Sequence, residues 1–125
     1  MFTESEIKKL NEERFSIEEQ IRNLHKRKDE IKSALIHNSV EVVKSRFPNI
    51  EYGDKVNVTR KEWAYNGVKE VTETLFFKSV WQGRYDYEFT PNAMAWKFYK
   101  TKKDGNMSHL EVEHHDSTIV NIEKI

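Results

Sequence analysis

The sequence predicts an α+β protein in which a long N-terminal coiled-coil helix precedes a small antiparallel β-barrel of five or six strands. Residues 1–47 contain no Gly and no Pro, whereas all four Gly and twelve of the aromatic residues lie from Pro48 onward. Apolar residues recur with helical spacing before that proline and alternate with polar ones from Ile50 onward. We therefore expect two domains, a coiled-coil helix over residues 1–47 and a β-barrel over residues 48–125.

The composition narrows the classes of function. The 125 residues carry 21 basic and 21 acidic side chains, and this zero net charge argues against general binding to nucleic acid or anionic membranes. The absence of Cys excludes disulfides, thiolate nucleophiles and cysteine-ligated zinc. There is no apolar run of about 18 residues, and MFTESEIKKL lacks the apolar segment of a secretory signal. We expect a soluble, cytoplasmic protein, and the frequent Lys, Asn and Ile suit a bacterial or phage genome.

The N-terminal segment has the heptad pattern of a coiled coil. With Ile7 as position a, eight of the eleven a and d positions are apolar. Seven of them form the predicted oligomerisation seam: Ile7, Leu10, Ile17, Ile21, Leu24, Ile31 and Leu35. Residues 3–6 match a capping box and predict the start of the helix, and Phe47-Pro48 predicts its end. Asn38-Ser39 marks a place where the helix could break, because both residues are good N-caps.

This seam needs a partner along most of its length. A helix of this size would be about 60 Å long, and it would overhang a β-domain made of residues 48–125. We therefore favour self-association over a different partner chain, and we place packing of the helix on its own β-domain last.

An antiparallel homodimer is the favoured arrangement. In a parallel, in-register dimer, Arg14 and Lys28 would each face their own copy across the seam. An antiparallel dimer centred near residues 19–20 places both side chains opposite leucines, where their apolar stems can lie along the seam. It also brings Glu13 close to Arg27 of the other helix, which is an attractive pair.

Turn signals divide the rest of the chain into short strands. Asn66-Gly67 and Asp104-Gly105 are tight-turn sequences between alternating apolar residues. A three-residue loop over residues 82–84 would place the strand of residues 77–81 opposite a strand of residues 85–89. The pattern is typical of a small antiparallel barrel or sandwich.

The alternation also predicts the core. Val58 and Trp63 are out of phase by one residue, so we expect a bulge near residues 61–62 that helps to curl the sheet. Leu110 and Val112 are expected to face inward. The aromatic residues with core spacing are Phe77, Trp81, Tyr85, Phe89, Trp96 and Phe98.

The segments GDKVNV (residues 53–58) and IVNIEKI (residues 119–125) resemble the opening and closing strands of SH3-like small barrels. The resemblance is one of fold and covers about residues 52–125. The ALYDY-type loop of peptide-binding SH3 domains is absent, so recognition of proline-rich peptides is not implied. Barrels of this type bind peptides, nucleic acids or other domains, and the resemblance alone does not select among these ligands.

Aromatic residues outside the predicted core form a candidate binding surface. They are Trp63, Tyr65, Phe76 and Tyr99. Exposed aromatic patches mark interaction sites, and a basic hairpin next to Tyr99 adds four lysines: Lys97, Lys100, Lys102 and Lys103. We expect a non-enzymatic interaction module that presents this surface to a protein partner. The alternative is a nucleic-acid-binding accessory protein, in which bases stack on the rings and the lysines contact phosphates.

The stretch LEVEHHDST (residues 110–118) contains the strongest candidates for metal binding. Strand alternation places His109, Glu111, Glu113 and His115 on one outer face. Glu113 and His115 offer ligand types that zinc accepts. A three-residue hairpin loop would place Lys97 opposite Glu111 as an ordinary cross-strand partner. A solvated strand face is therefore the favoured interpretation, and no metal is predicted.

Signals for an enzyme are absent from the sequence. It contains no Gly-rich phosphate loop, no G-x-S-x-G and no H-E-x-x-H. Asp86 and Glu88 form a possible carboxylate pair, but their position between tyrosines favours a solubilising role. We expect neither catalysis nor a cofactor.

Overall fold

The computed structural model describes residues 1–83 and 88–125. These residues form a long helix, α1 (Glu4–Lys44), and five strands: β1 (Lys55–Ala64), β2 (Gly67–Gln82), β3 (Met94–Thr101), β4 (Met107–His115) and β5 (Ile119–Lys124). Short 3-10 turns, Pro91–Ala93 and Asp116–Thr118, precede β3 and β5. The predicted α+β class is confirmed.

The chain divides into two compact units, residues 1–34 and residues 35–125. Their boundary lies inside α1, whereas the change in composition lies at Pro48. The C-terminal part of the helix, residues 35–44, therefore belongs to the same unit as the sheet.

The first unit is helical from Glu4 onward. The backbone N–H of Glu6 donates to Oγ1 of Thr3 at 3.2 Å, which is the predicted N-cap. All side chains of residues 1–34 are exposed. Arg14 pairs with Glu18 at 3.8 Å, one turn along the helix surface.

In the second unit the helix continues through Asn38-Ser39, so the possible break does not occur. The hydroxyl of Ser39 donates to the carbonyl oxygen of Phe89 at 2.8 Å, and Ser39 is buried. Its side chain therefore bonds to a distant backbone group and does not cap a new helix. Ile36 and Val43 are buried on the same stripe.

The strands form one antiparallel sheet in the order β4-β3-β2-β1-β5. The first four strands are consecutive neighbours, and β5 returns to pair with β1. Gly67 (φ 116°) and Gly105 (φ 88°) adopt positive φ values that favour glycine, in the two tight turns that the sequence predicts. Within the described residues β4 and β5 are the two edges, so closure into a barrel is not shown.

One face of the sheet is buried together with the end of the helix. The central side chains are aromatic: Phe77 lies between Trp96 and Phe98, with ring centroids 5.7 and 6.2 Å away, and all three are buried. These three core predictions are correct. Val43 of α1 belongs to the same cluster, and Phe47 packs against it.

The prediction that Trp81 is buried is wrong, because its side chain is 43% exposed. The β2–β3 register shifts between Phe77 and Ser79, so Lys78 is an extra residue. After the shift, inward and outward side chains no longer alternate in phase with Phe77. Val80 is therefore buried and Trp81 is not.

The predicted hairpin, in which residues 77–81 pair with residues 85–89, differs from the pairing in the described residues. Trp81 pairs with Ala95 of β3, and residues 88–90 lie outside any strand. Phe89 is half-buried. The sequence pattern places Arg84, Tyr85, Asp86 and Tyr87 in this hairpin, and these residues lie outside the described part of the chain.

The bulge expected near residues 61–62 is also absent from the β1–β2 pair. Its register runs without interruption from Lys55 to Ala64. The irregularity occurs on the other side of β1, between Thr59 and Arg60, where β5 pairs. Trp63 therefore faces away from the buried side on which Val58 lies.

A buried carboxylate ties the helix end to the sheet. Oδ1 of Asp116 accepts hydrogen bonds from Nη1 of Arg46 at 2.6 Å and from Nε1 of Trp96 at 2.9 Å. Nη2 of Arg46 also donates to the carbonyl oxygen of Ile119 at 3.1 Å. This network fixes the segment after α1 against the start of β5.

Candidate interaction surfaces

The seam of α1 is exposed along its whole length. Its seven side chains are 44–69% exposed: Ile7, Leu10, Ile17, Ile21, Leu24, Ile31 and Leu35. The stripe that packs against the sheet is a different one, formed by Ile36, Ser39 and Val43. Packing within the second unit therefore leaves Leu35, the last seam position, exposed.

A second apolar surface lies at the tip of the β1–β2 hairpin. We call Trp63, Tyr65 and Val68 the tip patch. Trp63 is 80% exposed and pairs across the hairpin with Val68, while Tyr65 stands fully exposed in the turn. Pairing with β5 ends at Arg60, so the tip extends beyond the neighbouring strand.

The charges on this hairpin cancel in pairs. Lys61 lies opposite Glu70, and Glu62 lies opposite Lys69. Opposite charges at these positions attract each other. The tip patch is therefore apolar and aromatic with no net charge around it.

A third surface lies on the outer face of the sheet. We call Tyr52, Phe76 and Tyr99 the face patch. Phe76 and Tyr99 are cross-strand partners, and the rings of Tyr52 and Tyr99 meet edge to face with centroids 6.3 Å apart. Hydrogen bonding with the Tyr52 side chain raises the pKa of the Tyr99 hydroxyl.

Two lysines border the face patch. Nζ of Lys78 lies 5.6 Å from the centroid of the Tyr99 ring, and Nζ of Lys55 lies 5.9 Å from that of Phe76. Lys78 also forms an ion pair with Glu111, which raises the pKa of the ammonium group. Nζ of Lys55 donates to the carbonyl oxygen of Gly105 at 3.1 Å, so both cations beside the rings already have partners.

The predicted aromatic binding residues therefore separate into two patches. Trp63 is on the same side of the β1–β2 pair as Phe76, but it lies eight residues along β1 from Lys55, the partner of Phe76. That spacing corresponds to about 26 Å. Tyr65 belongs with Trp63, and Tyr99 belongs with Phe76.

The four predicted lysines are also divided. Lys97 is partly buried and pairs with Glu113 at 3.8 Å. Lys100 is exposed and lies opposite the buried Leu75, at the end of the inward-facing row. Lys102 and Lys103 are exposed in the β3–β4 turn.

The carboxylates of β4 have lysine partners. Glu111 pairs with Lys78 and Glu113 pairs with Lys97, while Nδ1 of His115 lies 3.0 Å from the hydroxyl of Ser117. Within residues 1–83 and 88–125, no group of three or more potential ligands is placed to hold a metal. The geometry fits a solvated strand face.

The register of β4 differs from the predicted one. The β3–β4 connection spans residues 102–106, which is longer than the expected three-residue loop, and Lys97 lies opposite Glu113 and not Glu111. The prediction that Leu110 faces inward is wrong, because it is 58% exposed. It lies where the register shifts between Tyr99 and Thr101.

Three residues of these surfaces were not identified from the sequence. Tyr52 precedes β1 and gives no strand signal, whereas strand alternation already places Lys78, two residues after Phe76, on the same outer face. Val68 was detectable, since it follows Asn66-Gly67 and must pair with Trp63 in a two-residue hairpin.

The described part of the chain contains no helix that is both long and apolar enough to cross a membrane. Comparison with protein-family models, with curated proteins and with solved structures finds no match. Function must therefore be inferred from the side chains themselves.

Proposed function

We propose that the chain is a non-enzymatic interaction module. Its α1 helix forms a coiled-coil homodimer, and its sheet presents exposed aromatic side chains to a protein partner. The observation that carries this proposal is the seam, a row of a and d side chains that remain 44–69% exposed.

An exposed helix with such a seam is incomplete as a single chain. Most helical stability in water comes from packing an apolar face, because isolated helices are marginal. About half of each seam side chain remains to be covered, and covering it contributes about 1 kcal/mol per residue. A second helix can bury these side chains along the whole seam from Ile7 to Leu35, whereas a small contact surface would bury only some of them.

The tip patch supports the proposed protein partner. Trp and Tyr are the residues that most often dominate binding energy at protein interfaces, because they combine large apolar area with a polar group. The paired charges around Trp63 and Tyr65 leave no net field to attract phosphates. A partner with an apolar pocket fits this surface better than an anionic one.

The pairing of the first and last strands is compatible with the SH3-like resemblance. Val56 pairs with Lys124, and Val58 pairs with Ile122, which joins GDKVNV to IVNIEKI. We propose an SH3-like arrangement for residues 52–125. It is consistent with a binding module and does not itself select the ligand.

The seam is tested with two double variants of the full chain. Ile17→Gln with Ile21→Gln removes two central apolar groups, and we expect the dimer to dissociate at concentrations where the unmodified chain stays associated. Glu19→Gln with Arg22→Gln is the matched control, because these exposed positions lie outside the seam. Sedimentation velocity gives the mass of each.

If the proposal is correct, the molar mass of the seam variant in solution is lower than that of the control. Equal masses for the two double variants would contradict it, whether both are dimers or both monomers. Circular dichroism of the same samples reports the helix content, which should fall only in the seam variant.

Nucleic-acid binding is the second candidate, and the exposed lysines at the β3–β4 turn favour it. Lys100, Lys102 and Lys103 are all exposed, close in sequence to the ring of Tyr99. Asp104 in the same turn reduces the local positive charge, which is why we rank this function second.

Salt dependence separates the two candidates. If the lysines contact phosphates, a labelled single-stranded oligonucleotide should bind in low salt, with a log–log salt slope of about −2 for three contacts. Lys102→Gln with Lys103→Gln should flatten that slope. Absence of binding in low salt, measured by fluorescence anisotropy, would remove this candidate.

A further inference from the structure

We infer that the seam joins two copies of this chain in antiparallel orientation, so that the dimer is bivalent with its two sheet units attached far apart. This inference rests on the proposed function, because it assumes that α1 forms a coiled-coil dimer. It adds the orientation, the register and the spacing between the two attachment points.

The charged seam positions disfavour a parallel register. Arg14 and Lys28 occupy a positions, so a parallel dimer would place each beside its own copy in the seam. With the helices antiparallel and centred near residues 19–20, Arg14 faces Leu24 of the second copy, and Lys28 faces Leu10. Each cation then lies against an apolar side chain.

The conformation of Arg14 suits this packing. Its guanidinium lies 5.2 Å from the centroid of the Phe15 ring, and Nε lies 3.8 Å from a carboxylate oxygen of Glu18. Both neighbours lie outside the a and d positions. The charged head is therefore held beside the seam, and the apolar stem remains available to cover a leucine.

The flanking charges favour the same orientation. In the antiparallel dimer, Glu13 meets Arg27 of the second copy. In a parallel dimer, Glu13 would instead meet Glu18, and Arg27 would meet Lys32, which are two repulsive contacts. The charges along the seam thus complement a second copy of this chain in the antiparallel orientation.

The orientation fixes the spacing of the sheet units. Ala34 is the last residue of the first unit and lies 15 residues from the centre near residue 19. At 1.5 Å per residue, the Ala34 residues of the two copies lie about 45 Å apart in the antiparallel dimer. In a parallel dimer they would be about 10 Å apart.

This spacing has a functional consequence. The second unit of each copy carries a tip patch and a face patch. The dimer therefore offers two copies of each surface, attached at opposite ends of the coiled coil. Such a molecule binds tightly to partners that present two sites at matching separation.

The absence of Cys makes the inference directly testable. Ala34→Cys in the full chain introduces a single thiol for a nitroxide spin label, and pulsed dipolar spectroscopy measures the distance between the two labels. Gln20→Cys is the control, since residue 20 lies near the centre and gives a short distance in either orientation. The mass of each labelled protein is measured in the same buffer.

We expect a distance of about 45 Å at residue 34 and a short distance at residue 20. Short distances at both positions in a dimeric sample would overturn the antiparallel inference and leave the coiled-coil homodimer intact. A monomeric mass for both labelled proteins and for the unlabelled chain would overturn the homodimer as well. The two failures are therefore distinguishable.

Discussion

At the scale of single residues, the buried Asp116 joins distant segments of the second unit. Its carboxylate accepts from Arg46 and from the buried indole of Trp96. No sequence pattern indicates this role of Asp116, because alternation and turn signals are local. Its two partners come from distant segments, and no local pattern indicates them.

We predict that Asp116→Asn lowers the free energy of unfolding by about 2 kcal/mol, because the Arg46 guanidinium loses a partly buried charged partner. Urea unfolding measures the change. Asp54→Asn is the matched control: it removes the more exposed pair of Asp54 with Lys124 (3.3 Å), and it should cost less than about 1 kcal/mol. Equal effects for the two variants would show that Asp116 does not stabilise the fold in this way.

We also predict that His114 makes stability depend on pH. Burial lowers the pKa of its imidazole, and the nearby charge of Arg60 lowers it further, against weaker opposing effects of Glu73, Glu113 and Glu62. Protonation is therefore easier in the unfolded chain than in the folded one. Stability should be highest above the unfolded pKa, about 6.5, and should decline as the pH falls through the lower folded pKa.

Urea titrations between about pH 5 and pH 8 test this dependence. His114→Gln should show a smaller decline on the acidic side than the unmodified chain. The lowered carboxylate pKa values of Asp54 and Asp104 act below this window, since both start from 3.8. If the variant and the unmodified chain lose stability equally, the decline has another source.

At the scale of elements, sequence periodicity works where an element is regular. The N-cap at Thr3, both glycine turns and the buried faces of β1 and β3 agree with the patterns. It fails at register shifts, because one extra residue reverses every later side chain. Trp81 and Leu110 are examples, and both lie beyond or within such a shift.

The C-terminal end of α1 shows a second feature that sequence composition does not predict. The absence of Gly and Pro before Pro48 marks a helical segment but cannot show which part of it packs on the sheet. Ile36 and Val43 are buried in the second unit, and Phe47 meets Trp96 with ring centroids 5.6 Å apart. The last turns of α1 therefore complete the core of the β-domain.

We predict that residues 35–125 fold on their own and that residues 48–125 do not. Removing residues 35–47 uncovers the core and deletes Arg46, at a cost of about 5 kcal/mol or more, which is comparable to the whole stability of a small domain. Dispersed amide resonances in NMR spectra would show which fragment folds. A well-folded 48–125 fragment would contradict the role assigned to the helix end.

The exposed hairpin tip leads to a contrasting prediction. Trp63→Ala should change the free energy of unfolding by less than about 0.5 kcal/mol, because Trp63 is 80% exposed. Trp96→Ala should cost about 3–5 kcal/mol, because its ring is fully buried. Urea midpoints measure both, and a large loss for Trp63→Ala would mean that the tip serves the fold and not a partner.

At the scale of the whole molecule, the sequence determines fold class better than it locates the site. The contrast between the Gly-free and Gly-containing segments, together with the change from helical to alternating apolar spacing, predicts the α+β class. Trp63, Tyr65, Phe76 and Tyr99 all lie outside the buried core, but their division into a tip patch and a face patch depends on strand lengths and registers. A heptad pattern likewise identifies a seam without identifying the chain that covers it.

The most direct test of the central claim is the molar mass of the unmodified full chain, measured by light scattering coupled to chromatography across a dilution series. We expect twice the chain mass of 15.0 kDa, falling toward the monomer value only on dilution. A mass of 15.0 kDa at every concentration would contradict the account, because the exposed seam would then not join two copies of this chain.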